Sequence, residues 1–280
     1  MNEQPLSTTI PAHLVDQPTM IHVDGVSKSF GNAKAVRDLS LDVRRGEFFG
    51  FLGLNGAGKT TTIKMAVGLL RPDAGRIIIG GLDVGEKPQQ VKSRLGYIPD
   101  EPYIYEKLSG REFLRFVGGL YGMQHGDIER RTEFLFWLFG VGNWGDLRAE
   151  GYSHGMRQKI VMSAAFIHSP EVVILDEPLV GLDPQSGKLV KDMLKLMSQE
   201  GTTIFMSTHT LSVAEELCDR IGIIHKGVLS ALGTVDEIKQ LSEGGSGSLE
   251  SAFLDLMGGS IQARLYNSSD AALETPVDEI

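Results

Sequence analysis

Gly53-Leu54-Asn55-Gly56-Ala57-Gly58-Lys59-Thr60 decides how this chain is read. The stretch satisfies G-x-x-x-x-G-K-[ST], the P-loop pattern. Before it, residues 47–52 (EFFGFL) read as an apolar strand. After it, Ile63, Ala66, Val67 and Leu70 recur on one face of a helix until Pro72. A strand, a glycine-rich turn and a helix N-terminus make an anion cradle. The glycines let the backbone wrap until its N–H groups converge on phosphate oxygens, and the helix dipole favours negative charge there. Asn55, Gly56, Ala57, Gly58, Lys59, Thr60 and Thr61 are therefore the expected phosphate-binding residues. Lys59 is expected to reach the β- and γ-phosphates, and Thr60 to offer its hydroxyl to Mg²⁺.

Further along, Val172-Val173-Ile174-Leu175-Asp176-Glu177 has four apolar residues that end in two carboxylates. A buried strand delivers such carboxylates to the sheet edge where α/β folds bind ligands. Asp176 is the expected Mg²⁺ holder and Glu177 the group that polarises an attacking water. A strand before an acidic turn is common in itself; the P-loop upstream is what gives this one meaning. Residues 203–206 (TIFM) form a second continuous apolar run, of the kind found in parallel strands covered on both faces. Between these runs Pro184 opens a helix with Leu189, Val190, Met193 and Met197 on one stripe, ended by Gly201. Residues 21–26 alternate as a half-buried strand, and 76–79 form another. Residues 112–121 and 129–138 have helical spacing, with aromatics on one side, in a helical block running to about residue 168. The alternation predicts an α/β core with a helical insertion.

Composition narrows the class. The chain has 280 residues, 41% hydrophobic and 22% charged, ordinary values for a globular protein. Its 27 basic and 36 acidic residues give a net charge of −9, which speaks against a sequence-independent nucleic-acid binder. The strongest apolar run, 134–141 (FLFWLFGV), is too short to span a bilayer, and the first twenty residues lack a secretory core. Read alone, the chain is soluble. A single cysteine, Cys218, rules out an internal disulfide and reads as a small buried thiol on a helix. Residues 1–19 are expected to be a flexible extension, interrupted by three prolines. From 236 to 280 a tail is expected, with the Gly/Ser linker 242–248, one short apolar helix candidate after Leu249, and an acidic end.

Tyr152-Ser153-His154-Gly155-Met156-Arg157-Gln158-Lys159 lies about twenty residues before Asp176 and resembles the signature motif of ATP-binding cassette (ABC) ATPases. Ser153 and Gly155 occupy matching positions; His154 replaces a glycine and Met156 a glutamine. Phe30 stands where the family stacks an aromatic on adenine, Gly181-Leu182-Asp183 resembles its D-loop, and His209 ends the next strand as the switch histidine does. The resemblance spans about residues 20–235, with six motifs in the family's order. It implies a P-loop NTPase core with an antiparallel β subdomain and an inserted helical subdomain at about 100–165.

The resemblance also implies ATP and Mg²⁺ as cofactors and ATP hydrolysis as the activity. Ser153 and Gly155 would complete the site of a second cassette across a dimer, Asp183 would couple the two sites, and His209 would hold Glu177 and water in place. Phe30 reads either as the adenine platform or as a core phenylalanine, and His209 by itself as a solvated or core histidine. Asp100 falls where most relatives carry glutamine. It can offer oxygen to Mg²⁺, but sensing a membrane partner suits its charge better. An acidic residue here resembles exporter cassettes for drugs, antibiotics, lipids or polysaccharide. The implied partners are a second cassette and a transmembrane permease on a separate chain, at the cytoplasmic face of the membrane, with no nucleic acid. A groove beside the helical block, lined by Tyr97, Tyr103, Tyr105, Phe113 and Phe116, would take a permease helix. Within that cluster Phe113 and Phe116 read as core, and Tyr103 and Tyr105 as contact residues. An importer subunit, a soluble ABC ATPase such as the iron–sulfur assembly type, and a poorly hydrolysing regulatory module stay open as alternatives.

Overall fold

The computed structural model describes residues 10–242 and 247–257. β1 (Thr19–Phe30) and β2 (Ala33–Arg44) form a hairpin closed by the two-residue turn Gly31-Asn32. β3 (Phe48–Leu52) runs through the P-loop into α1 (Lys59–Ala66). β4 (Ala74–Ile79) and β5 (Leu82–Asp83) return to the hairpin, giving an antiparallel four-stranded sheet of order β2-β1-β4-β5. α2 (Pro88–Lys92) then leads to β6 (Leu95–Ile98). Next come the inserted helices α3 (Gly110–Leu120), α4 (His125–Phe139) and α5 (His154–Phe166). β7 (Val172–Asp176), α6 (Pro184–Gln199), β8 (Thr203–Thr208), α7 (Leu211–Leu217) and β9 (Arg220–His225) complete the parallel core. β10 (Val228–Thr234), α8 (Val235–Gln240) and α9 (Leu249–Leu256) follow. The second sheet has order β10-β9-β3-β8-β7-β6, parallel except for β10 at its edge.

Every residue of β3, β7 and β8 is buried, because helices or strands cover both faces of the sheet. The side-chain period of two sends neighbours into different cores. Phe49, Phe51, Ile174 and Phe205 face the antiparallel sheet and α1, while Phe48, Val173, Leu175 and Met206 face the inserted helices. A third core packs Leu52, Ile221 and Ile223 against α8 and α9.

Several elements differ from the sequence pattern. α1 stops at Ala66, because Gly68 takes a left-handed conformation two residues on, although Leu70 still packs inward. α6 buries Val190, Met193 and Leu194, with Leu189 and Met197 only half-buried, so its stripe is rotated from the expected one. β2 was hidden by a bulge: Asp38 has φ +45°, which breaks the alternation between Val36 and Leu39. Part of the expected flexible extension is tied down. Residues 12–14 form a 3-10 turn, Leu14 is buried, and the His13 ring lies 3.4 Å from Asp219. The expected tail also contributes core: Leu249, Ala252 and Phe253 of α9 are buried. Residues 1–9, most of the Gly/Ser linker (243–246) and 258–280 lie outside the described residues. Cys218, expected to be buried on a helix, follows α7 directly and is half-buried against two of the cores, and its partial burial pushes the thiol up.

Candidate active site

β3, β8 and β7 are neighbours, and their C-terminal ends carry the chemistry to one edge of the sheet. From β3 the P-loop turns into α1. Gly58 sits at φ +115°, and a Cβ there would meet the Ala35 carbonyl at 2.6 Å, so only glycine lets the loop close. No side chain caps α1, which leaves its first amide groups for an anion. Lys59 is buried and donates from Nζ to the Gly53 carbonyl at 2.7 Å, while Asn55, Gly56 and Thr60 are exposed to solvent and Ala57 is buried. Thr61, half-buried in the same first turn, follows Thr60.

Asp176 ends β7 and is buried. Its Oδ1 accepts from the Ser207 hydroxyl at 2.5 Å on β8, directly opposite in register. Glu177 follows with φ +49°, an uncommon backbone for a side-chain-bearing residue, held by its N–H donating to the Ser207 carbonyl at 3.2 Å. This turn carries Oε1 to 3.6 Å from Lys59 Nζ and 2.9 Å from His209 Nδ1. The His209 backbone N–H donates to Oε2 at 3.4 Å. Oε1 itself is buried and accepts no hydrogen bond within the chain, although the Lys59 and His209 nitrogens lie close to it. A buried acceptor of this kind calls for a partner from outside the chain, and a water molecule fits that need.

Asp100 follows β6 at the same edge. Burial above all, then the neighbouring Asp176, Glu177 and Glu101 carboxylates, push its carboxyl up. Tyr97, on β6, is pushed up to about 12 by burial and by the charges of Asp176 and Asp100. A cluster of carboxylates beside an anion cradle repels phosphate unless a cation lies between them. The oxygen donors of Thr60, Asp176 and Asp100 suit a hard divalent ion, so the residues present fit Mg²⁺.

Ser153 is the exposed N-cap of α5, accepting from the Met156 N–H at 3.3 Å, and Gly155 sits in the first turn. His154 lies against Gly181 (φ +78°), where a Cβ would meet the imidazole at 2.7 Å; the glycine at 181 is what makes room for the bulky residue at 154. Gln158, absent from the expected site, is buried and donates to the Pro178 carbonyl at 3.2 Å, tying α5 to the turn after Glu177. Asp183 caps α6, accepting from the Gln185 and Ser186 N–H groups and the Ser186 hydroxyl, which hold its carboxyl below the usual range. Phe30 ends β1 with 53% of its surface exposed, which removes the core alternative for it.

Between the sheet and the inserted helices lies an apolar groove of about 330 Å³, lined by Leu95, Tyr97, Tyr103, Phe113, Val117 and Tyr121. Phe113 is buried as expected. Phe116 is not: it is 44% exposed, because α3 turns Phe113, Leu114 and Gly118 inward and leaves Phe116 on the rim. Tyr105 stands edge-on to Tyr103, Phe113 and Phe116, beside the groove.

Comparison with known proteins identifies the family and the fold. A family model described as ABC transporter matches residues 36–180. The linearmycin resistance ATP-binding protein LnrL of Bacillus subtilis is 37% identical over 219 residues, 78% of this chain and 70% of its own. The daunorubicin resistance ATP-binding protein DrrA3 of Streptomyces coeruleorubidus is 39% identical over 221 residues, 79% of this chain and 70% of its own. A solved ATP-binding subunit of an ABC transporter superposes with a TM-score of 0.80 at 34% identity, over 85% of this chain and 99% of that one.

Proposed function

The chain belongs to the ABC transporter family as an ATP-hydrolysing cassette, and from that premise we propose that it powers an exporter whose membrane-spanning permease is a separate polypeptide. No helix among the described residues is long and apolar enough to cross a membrane, so the spans are assigned to a partner. The export direction, with antibiotic-like compounds as cargo, is supported by the resistance functions in the names of LnrL and DrrA3. The working location is the cytoplasmic face of the membrane, held there by the permease. The apolar groove beside Tyr103 is the proposed seat of a permease helix, with Tyr105 at its edge.

The observation that carries the reading is the convergence of two groups on Glu177 Oε1, with Lys59 Nζ at 3.6 Å and His209 Nδ1 at 2.9 Å. ATP enters with its phosphates against the α1 N-terminus and Lys59, and with its base on Phe30. Thr60, Asp176 and Asp100 would hold Mg²⁺, which when bound neutralises charge developing on the phosphate oxygens. Glu177 orients the attacking water at Oε1 and accepts its proton, while His209 steadies that carboxylate. Asn55, Gly56, Ala57, Gly58 and Thr61 complete the cradle. Ser153 and Gly155, at an exposed helix N-terminus, close on the γ-phosphate of a second cassette, and Asp183 links the two sites beyond its capping role.

Affinity purification of the tagged chain from host membranes in mild detergent, with mass spectrometry of what accompanies it, tests the assignment. A stoichiometric multi-span protein is expected, and Tyr103→Asp should abolish its recovery while ATP binding persists. Recovery of soluble assembly or repair proteins instead would overturn the permease reading.

A further inference from the structure

Resting on the reading of Phe30 as the base platform, we propose that Asp73 is a positioning residue for nucleobase binding, clamping the tip of the β1–β2 hairpin through Lys28. Phe30 is the last residue before a two-residue turn, and an exposed ring at a hairpin tip has little of its own to orient it. Asp73 supplies what is missing. It lies in the connection between α1 and β4 and is anchored by its own N–H, which donates to the Ser27 carbonyl at 2.8 Å. Its two carboxylate oxygens divide the work. Oδ2 accepts from the Ser29 N–H at 2.7 Å, and Oδ1 accepts from Lys28 Nζ at 2.6 Å.

Lys28 is two residues before Phe30, so both side chains leave β1 on the same face. Its side chain is only 15% exposed, and its Nζ lies 5.8 Å from the Phe30 ring centroid. The ammonium thus covers one face of the ring by a cation–π contact and leaves the opposite face for a flat partner. Both bonds to Asp73 hold its carboxyl below the usual range, so the clamp stays charged through neutral pH. The same connection begins at the end of α1, the helix that holds the phosphates. One short segment therefore ties the phosphate cradle to the base platform.

The test compares a ligand that has a base with one that lacks it. Calorimetric titration of the purified chain with ADP and with inorganic pyrophosphate separates platform from cradle. Phe30→Ala is expected to weaken ADP binding by about tenfold, from the loss of base stacking. Asp73→Ala is expected to weaken it by about threefold, the scale of an exposed ion pair, with pyrophosphate affinity unchanged. In the Phe30→Ala background, Asp73→Ala should have no further effect on ADP. Asp73→Asn, which keeps an acceptor for the Ser29 N–H and loses the charge facing Lys28, should fall between wild type and Asp73→Ala and guards against a folding defect. Loss of affinity for both ligands alike, or an undiminished Asp73 effect without Phe30, would overturn the clamp. So would unchanged ADP affinity in Asp73→Ala, which leaves the platform standing if Phe30→Ala still weakens ADP. Unchanged ADP affinity in Phe30→Ala would remove the platform itself.

Discussion

The sheet edge and the inserted helices solve opposite problems with the same kinds of residue. At the sheet edge, functional groups leave fully buried strands and are held by backbone register: Asp176 by Ser207, Glu177 by the Ser207 carbonyl, Lys59 by the Gly53 carbonyl. In the insertion, α3 and α4 are laced by surface ion pairs, with Arg111 reaching Glu133 and Asp146, and Arg115 reaching Glu129. There several large side chains point outward, although Phe136, Phe139 and Phe166 are buried: Tyr103 is 72% exposed, Leu120 71% and Trp137 76%. On the proposed function, chemistry that tolerates little misplacement sits on the rigid part, and the proposed contact surface sits on helices whose ion pairs contribute little rigidity.

The largest expected effect lies at the sheet edge. Glu177→Gln should lower kcat by about 10²–10⁴, the span of general-base contributions, with ATP binding retained; a steady-state ATPase assay checks it, and normal turnover would move the base elsewhere. Next, Phe139→Ala, at the buried contact of α4 with Phe166 of α5, should destabilise the fold by about 3–5 kcal/mol in denaturant melts. Lys59→Ala should weaken ATP binding by about 10- to 100-fold, as expected for a hydrogen bond to a charged group, read by calorimetry.

A smaller effect depends on pH. His168, after α5, stacks on Tyr121 with ring centroids 3.7 Å apart, and its two nitrogens are buried without an aligned partner. Burial, ahead of the nearby Arg131 charge, lowers its pKa to about 4, with the Leu95 backbone opposing. Below pH 6.5 the unfolded chain takes up a proton here that the folded chain refuses. Its contribution is therefore complete above that pH and is lost as pH falls towards 4, by about 2 kcal/mol. Melts between pH 7 and 4 should show this slope, and His168→Phe should flatten it. The smallest effect belongs to the helices' outer face: Trp137→Ala should change stability by under about 0.5 kcal/mol. A large loss there would mean that the surface is covered in the isolated protein and erase the contrast between the two regions.

The two regions also differ in how plainly the sequence announces them. The P-loop and the strand ending in Asp176-Glu177 are contiguous, and their chemistry demands particular residue types, so both were legible. Their placement side by side followed from α/β alternation. Phe116 was misread because three-residue spacing from Phe113 suggests a shared face, whereas Leu114 and Gly118 define the buried side of α3. β2 was lost to its bulge at Asp38. Gln158 and Asp73 act on residues 20 and about 45 positions away, a pairing that no periodicity encodes. Asp183 was read for what the family does with it, and its cap on α6 emerged only from the fold.

The central claim is that a site built by Lys59, Glu177 and His209 is completed by Ser153 of a second cassette. Light scattering on the Glu177→Gln protein, with and without ATP and Mg²⁺, tests it most directly. The expected result is a monomer that doubles in mass when ATP is added, and that stays monomeric, with ATP bound, when Ser153→Arg is introduced as well. A monomer at saturating ATP in the Glu177→Gln protein, or a dimer indifferent to Ser153→Arg, would contradict it.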